Sequence, residues 1–173
     1  MPTQPADDAQ ERADLLETLA THRFFLRTTV RDLTDEQGCE RTTVSELCLG
    51  GIIKHVTQTE RGWAEFIVQG AGAIGPDDVA SRERHAAGFR MLEGDTLAGL
   101  LEEYERVAQR TDELVTSLRS LDTSHPLPPA PWFKPGTRWS ARRVLLHIIA
   151  ETAQHAGHAD IIRESLDGAK TMG

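Results

Sequence analysis

Apolar positions recur at helical spacing over four long stretches of the chain. Leu15, Leu19, Leu26, Val30 and Leu33 form the first stripe, and Asp7 or Asp8 can cap it, so the pattern predicts a helix to about Leu33. His22 falls between Leu19 and Leu26, on or beside the packed face, where a packed or rim histidine and a site residue are both open readings. Thr34-Asp-Glu-Gln-Gly38 breaks the period. The second stripe runs Leu47, Cys48, Ile52, His55, Val56, Thr59, Trp63, Phe66, Ile67. It predicts a helix that starts near Thr43 or Ser45, with Ser45 as its cap, and ends at Gly70. Gly50-Gly51 weaken its first turns by roughly 1 kcal/mol each; they either let another segment approach closely or mark an irregular start.

Residues 70–95 read as a linker with a short helix around 78–91. It is longer than an antiparallel hairpin needs and long enough to cross a helical bundle. A third helix begins at Thr96, capped there or at Asp95, and its stripe through Leu97, Leu101, Tyr104, Val107 and Val115 carries it to about Leu121. Residues 122–139 hold five prolines and cannot be helical. Trp132, Phe133 and Trp139 need burial, so this stretch reads as an ordered loop folded over one end of the helices. Ser140 caps a last helix that runs to about Leu166 and stops at Gly168. Four long helices and no convincing strand predict an all-α four-helix bundle, one domain over residues 8–168 behind a disordered tail at 1–7.

A chain of 173 residues suits a single domain with a substantial core. The net charge of -8 argues against general affinity for nucleic acid, because a phosphate backbone would be repelled. No apolar run approaches the ~20 residues that span a bilayer. The first ten residues lack the basic start and apolar segment of a signal peptide, which predicts a cytoplasmic protein with no membrane partner. Cys39 and Cys48 are too few for a disulfide scaffold, and Cys48 reads as a small buried hydrophobe.

The chemistry concentrates in His147-Ile-Ile-Ala-Glu151-Thr-Ala-Gln-His155-Ala-Gly-His158. At ~100° per residue, His147, Glu151, His155 and His158 share an arc of about 80° with Val144 and Ile162. Four ionisable groups on a core-facing stripe are costly unless something compensates them, and a metal ion would. Glu151 and His155 stand one turn apart, the spacing two ligands on a helix require. His55 lies on an inward stripe of the second helix, and facing helices place side chains across a core ~8–10 Å wide, so it can supply a third ligand. Three protein ligands leave positions open for water or substrate, as catalytic sites do. The same residues could instead form a buried hydrogen-bond network, and His147 or His158 could replace a chosen ligand.

Leu49-Gly-Gly-Ile-Ile-Lys-His55-Val-Thr-Gln-Thr-Glu-Arg-Gly-Trp63 resembles the second-helix motif of the DinB-like superfamily, in its mycothiol-transferase branch. Trp139-Ser-Ala-Arg-Arg-Val-Leu-Leu-His147 through Glu151, His155 and His158 to Glu164 is similar to that branch's last-helix signature. The resemblance implies an up-down-down-up bundle with a long crossover between the second and third helices. It also implies a metal triad at His55, Glu151 and His155. Glutamate at 151 is similar to the mycothiol-dependent maleylpyruvate isomerases and favours a zinc-like divalent ion, with nickel as the alternative. The superfamily is named for a DNA-damage-inducible member, but nothing in this acidic chain supports DNA binding.

The reading that follows is a metal-dependent thiol S-transferase in which a low-molecular-weight thiol, mycothiol by resemblance, is activated as a metal-bound thiolate and attacks a small electrophile, as in detoxification. His158 or His147 would shuttle protons as catalytic residues. Trp63, Trp139 and Trp132 would wall the pocket, with Arg61, Arg142 and Arg143 as partners for carboxylates or sugar hydroxyls. A metal-dependent hydrolase using the same three ligands, or a non-catalytic metal-binding stress-response bundle, are the alternatives. Members of the family are frequently dimeric, which implies a homodimer.

Overall fold

The computed structural model describes residues 5–75 and 78–171. Residues 1–4, and with them most of the expected tail, lie outside the described residues. The first helix, α1, covers Pro5–Thr28, starting before Asp7 and ending five residues before Leu33. The chain leaves it through a turn that holds Asp32 at a φ of 62°, a left-handed conformation in which aspartate is tolerated better than most residues. A short helix, α2 (Asp35–Cys39), follows where only a break in the period was expected. Thr34 nucleates it through a capping box: its hydroxyl accepts from the Gln37 amide while the Gln37 side chain accepts from the Thr34 amide.

The second long helix, α3 (Leu49–Gln69), starts later than Ser45. The Thr43 and Ser45 hydroxyls accept hydrogen bonds from the amides two residues on, Ser45 and Leu47, and so hold a turn instead of a helix start. Cys48 takes the cap position without a side-chain bond and is buried, as a small hydrophobe would be. The crossover then passes through a 3-10 turn at Gly70–Ala73 and α4 (Val79–Gly88), capped by Asp78, to α5 (Leu97–Ser117), capped by Thr96. Past Ser117 the apolar residues Leu118 and Leu121 belong to a turn that tucks Leu121 fully into the core.

The proline-rich stretch contains a feature its sequence concealed. Strands β1 (Ser124–Pro126) and β2 (Arg138–Ser140) pair antiparallel, with His125 opposite Trp139, and close the loop at its base. Trp139 and Phe133 are half-buried as expected, but Trp132 is 67% exposed. Helix α6 (Ala141–Asp167) starts where the Ser140 hydroxyl accepts from the Arg143 amide and ends at Gly168, in the left-handed conformation that glycine adopts without strain.

Helix α1 packs on α6, α6 on α3, α3 on α5, and α5 back on α1. Their apolar faces form two clusters. One holds Leu26, Ile52, Val56, Tyr104, Ala156 and Ile162; the other holds Leu19, Phe66, Val115, Val144 and Ile148. Each long helix contributes to both, with a buried polar residue between the two contributions: Arg23, Glu60, Thr111 and Thr152. Helices α1 and α6 run from the second cluster to the first, whereas α3 and α5 run from the first to the second. Among the described residues, no helix is long and apolar enough to cross a membrane.

Candidate metal and substrate site

The contact of α3 with α6 brings His55 against the carboxylate-histidine pair of the last helix. One ligand atom from each of His55, Glu151 and His155 lies within 4.8 Å of the others, the one such cluster of three or more among the described residues. Glu151 Oε2 is 3.6 Å from His155 Nε2, close to the ~3.4 Å that separates two ligands sharing a tetrahedral ion at ~2.0–2.1 Å. The rings of His55 and His155 meet edge to face at 4.8 Å. Both histidines are nearly withdrawn from water, at 5% and 9% exposure.

Burial fixes the charge state of these imidazoles. The His55 pKa is pushed down to about 3, by burial first and then by the neighbouring His155 and His85. Burial also lowers His155, outweighing the opposing pull of Glu151. Neutral imidazoles beside a carboxylate are the donor set a divalent ion requires, since ligands must be free of protons to bind it. The residues present therefore fit a divalent metal ion.

The triad opens into a cleft of roughly 560 Å3. His147 lines it one turn before Glu151, its Nε2 3.8 Å from Glu151 Oε1. Burial lowers the His147 pKa; Glu151 opposes this and Arg143 adds to it. Trp63 from α3 stacks on Trp139 from β2 with ring centroids 4.8 Å apart, and both meet the His147 ring edge on. The Arg143 guanidinium lies 4.3 Å over the Trp139 ring, a cation–π contact, and neither of these two residues is part of the cleft lining. Glycine at 51 is explained here: a methyl group on it would stand 2.0 Å from the Phe89 carbonyl oxygen. The close approach it permits lets Phe89 stack on His55 at 3.8 Å.

Other expected residues are placed elsewhere. His158 does not line the cleft; its ring packs 5.5 Å from that of His155. Arg61 pairs with Glu103 of α5 and also lies outside the cleft lining. Arg142 is held by Glu11 and Asp122. His22 stays on α1 beside Phe25, away from the cleft. Conversely, α4 and its C-cap residue supply two cleft residues that the sequence did not single out. His85 meets the His55 ring edge to face at 5.3 Å, and Phe89 stacks on it. Their spacing of four was visible, but nothing in a glycine- and charge-rich linker said which helix it would cover.

A model of the mycothiol-S-transferase family matches residues 14–168, spanning the triad, all of α3, α5 and α6, and α1 from Asp14 onward. The chain belongs to the mycothiol-S-transferase family. Comparison with curated proteins gives no match. Membership places the chain among mycothiol-related transferases.

Proposed function

We propose that this protein is a divalent-metal-dependent S-transferase that joins mycothiol to small electrophiles. The observation that carries this reading is the cluster of His55, Glu151 and His155, its two histidines buried and the three together opening onto the cleft, in a chain of the mycothiol-S-transferase family. Held by these three residues, a zinc or nickel ion would supply a positive charge that deprotonates a thiol at neutral pH. His147, kept neutral by burial and facing the cleft, would accept that proton and return it to the product. His158 would act through its ring contact with His155, as a positioning residue. Trp63, backed by Trp139, would exclude water, and Arg143 would steady that stack through its contact with Trp139. Arg61 is left out of the site because Glu103 engages it.

The order in which the long helices meet the two core clusters supports an up-down-down-up bundle over residues 8–168. The same reading includes a cytoplasmic homodimer that works in detoxification; exposed Phe24, Val68 and Ile161 offer apolar surface for a subunit contact.

Elemental analysis of untagged protein purified without added metal tests the site, with about one ion per chain expected and His55→Ala expected to lose it. Conjugation should require mycothiol. Turnover of an ester or amide without thiol would establish the hydrolase instead, and metal without any turnover would leave a binding protein.

A further inference from the structure

The triad cleft has a neighbour. A second cavity of roughly 360 Å3 lies under the proline-rich loop and shares three wall residues with the cleft, Trp63, Ile74 and His85. The two differ in chemistry. Besides the triad, the cleft presents Gln58, Thr59 and Gln154, donors and acceptors suited to a hydroxyl-rich thiol. The second cavity is walled by Ile74, Pro128, Pro129, Trp132 and Phe133, with polar groups from α4 at its edge. Its size falls in the range of small-molecule sites.

We propose that this second cavity is the compartment of the electrophile, and that the electrophile carries a flat apolar group such as an aryl ring. The inference rests on the transferase reading and adds the substrate class to it. A two-substrate reaction needs both molecules held side by side, and a shared wall provides that. An unbroken aromatic series leads from the loop to the cleft: Trp132 to Phe133 at 6.1 Å, Phe133 to Trp139 at 5.7 Å, and Trp139 stacked on Trp63. Trp132, at its outer end, leaves two-thirds of its surface in water, and an apolar ring entering the cavity would cover part of it. For an α,β-unsaturated ketone the step balances without a further reactant. The thiol sulfur bonds to the β-carbon, the alkene electron pair shifts to the α-carbon, and that carbon takes the thiol's proton; nothing leaves.

The test compares two ketones of identical reacting group, 4-phenylbut-3-en-2-one and pent-3-en-2-one, with mycothiol as thiol and wild-type, Trp132→Ala and Phe133→Ala proteins. Trp132 is exposed, so its truncation leaves the core intact. KM for the phenyl ketone is expected to rise about ten-fold in each variant, while KM for mycothiol and for pentenone stays within about two-fold. Calorimetric titration of the unreactive 4-phenylbutan-2-one into the metal-loaded protein without thiol should show the same weakening. Turnover of both ketones with an unchanged phenyl KM in the variants, or an equal rise for both ketones, overturns the inference and leaves the transferase reading standing. Absence of thiol-dependent turnover with pentenone as well as the phenyl ketone overturns that reading, and this inference with it.

Discussion

Arg23 of α1 grips both carboxylate oxygens of Glu60 on α3 in the interior of the protein, with the residues 5% and 0% exposed. The guanidinium also donates to Asp112 of α5 at 2.8 Å. Three of the four long helices are thereby joined at one point, in the polar layer that separates the two apolar clusters. Thr111 and Thr152 complete the layer, each donating its hydroxyl to a carbonyl of its own helix.

Removing one member of such a pair strands the other charge in a dry site. Glu60→Ala is therefore expected to destabilise the fold by about 3–5 kcal/mol, read from urea unfolding at neutral pH. The Arg23→Leu/Glu60→Leu double variant should lose less than either single substitution. A double variant as unstable as the sum of the singles would show that the two residues contribute independently.

A more exposed pair links the start of α1 to α6. Hydrogen bonds from Arg142 hold the Glu11 carboxyl below its ordinary range. A carboxyl lowered on folding stabilises the native state above its unfolded pKa and loses that contribution as pH falls through the folded value. The difference in melting temperature between wild type and Glu11→Gln should thus be present at pH 7 and shrink as pH falls below the ordinary carboxylate range and through the lowered folded value. Solvent reaches this pair, so the gap corresponds to less than about 1 kcal/mol.

The periodic features of this chain were legible without coordinates. Apolar stripes located four long helices, Thr96, Ser140 and Gly168 marked their ends, and the spacing of Glu151 and His155 placed the two on one face of the last helix. What escaped depends on contacts between distant residues. Both His22 and Arg23 fit the step from Leu19 to Leu26, and only Glu60, 37 positions away, makes arginine the buried one. The start of α3 escaped because the Thr43 and Ser45 hydroxyls serve local turns equally well. The β1–β2 ribbon has three-residue strands, too short for any alternation to register. His85 joins the site only through the way α4 folds back over α3.

In the proposed reaction His147 would carry protons without holding the ion. It touches Glu151 from the tryptophan side and stands outside the ligand cluster. His147→Ala should keep about one ion per chain while its kcat for thiol conjugation falls about a hundred-fold, the scale of one lost general base. His55→Ala should instead lose both metal and turnover. Loss of metal in His147→Ala would make that residue a ligand and require the triad to be redrawn.

The two glycines at the start of α3 differ in what an added methyl group would strike. At Gly50 it would stand 2.1 Å from the Met91 sulfur, in a flexible side chain that can rotate away. At Gly51 it would strike the Phe89 carbonyl, part of the backbone after α4, which can yield only if that segment lifts. Alanine also improves helix propensity at both positions, by roughly 1 kcal/mol. Gly50→Ala should therefore be near neutral, whereas Gly51→Ala should cost about 1–3 kcal/mol through overpacking. Because Phe89 stacks on His55, Gly51→Ala should also weaken metal affinity, measured by competition with a chromogenic chelator, while Gly50→Ala leaves it unchanged. Equal effects of the two substitutions on stability and affinity would mean that the close approach of α4 is not what keeps His55 in place.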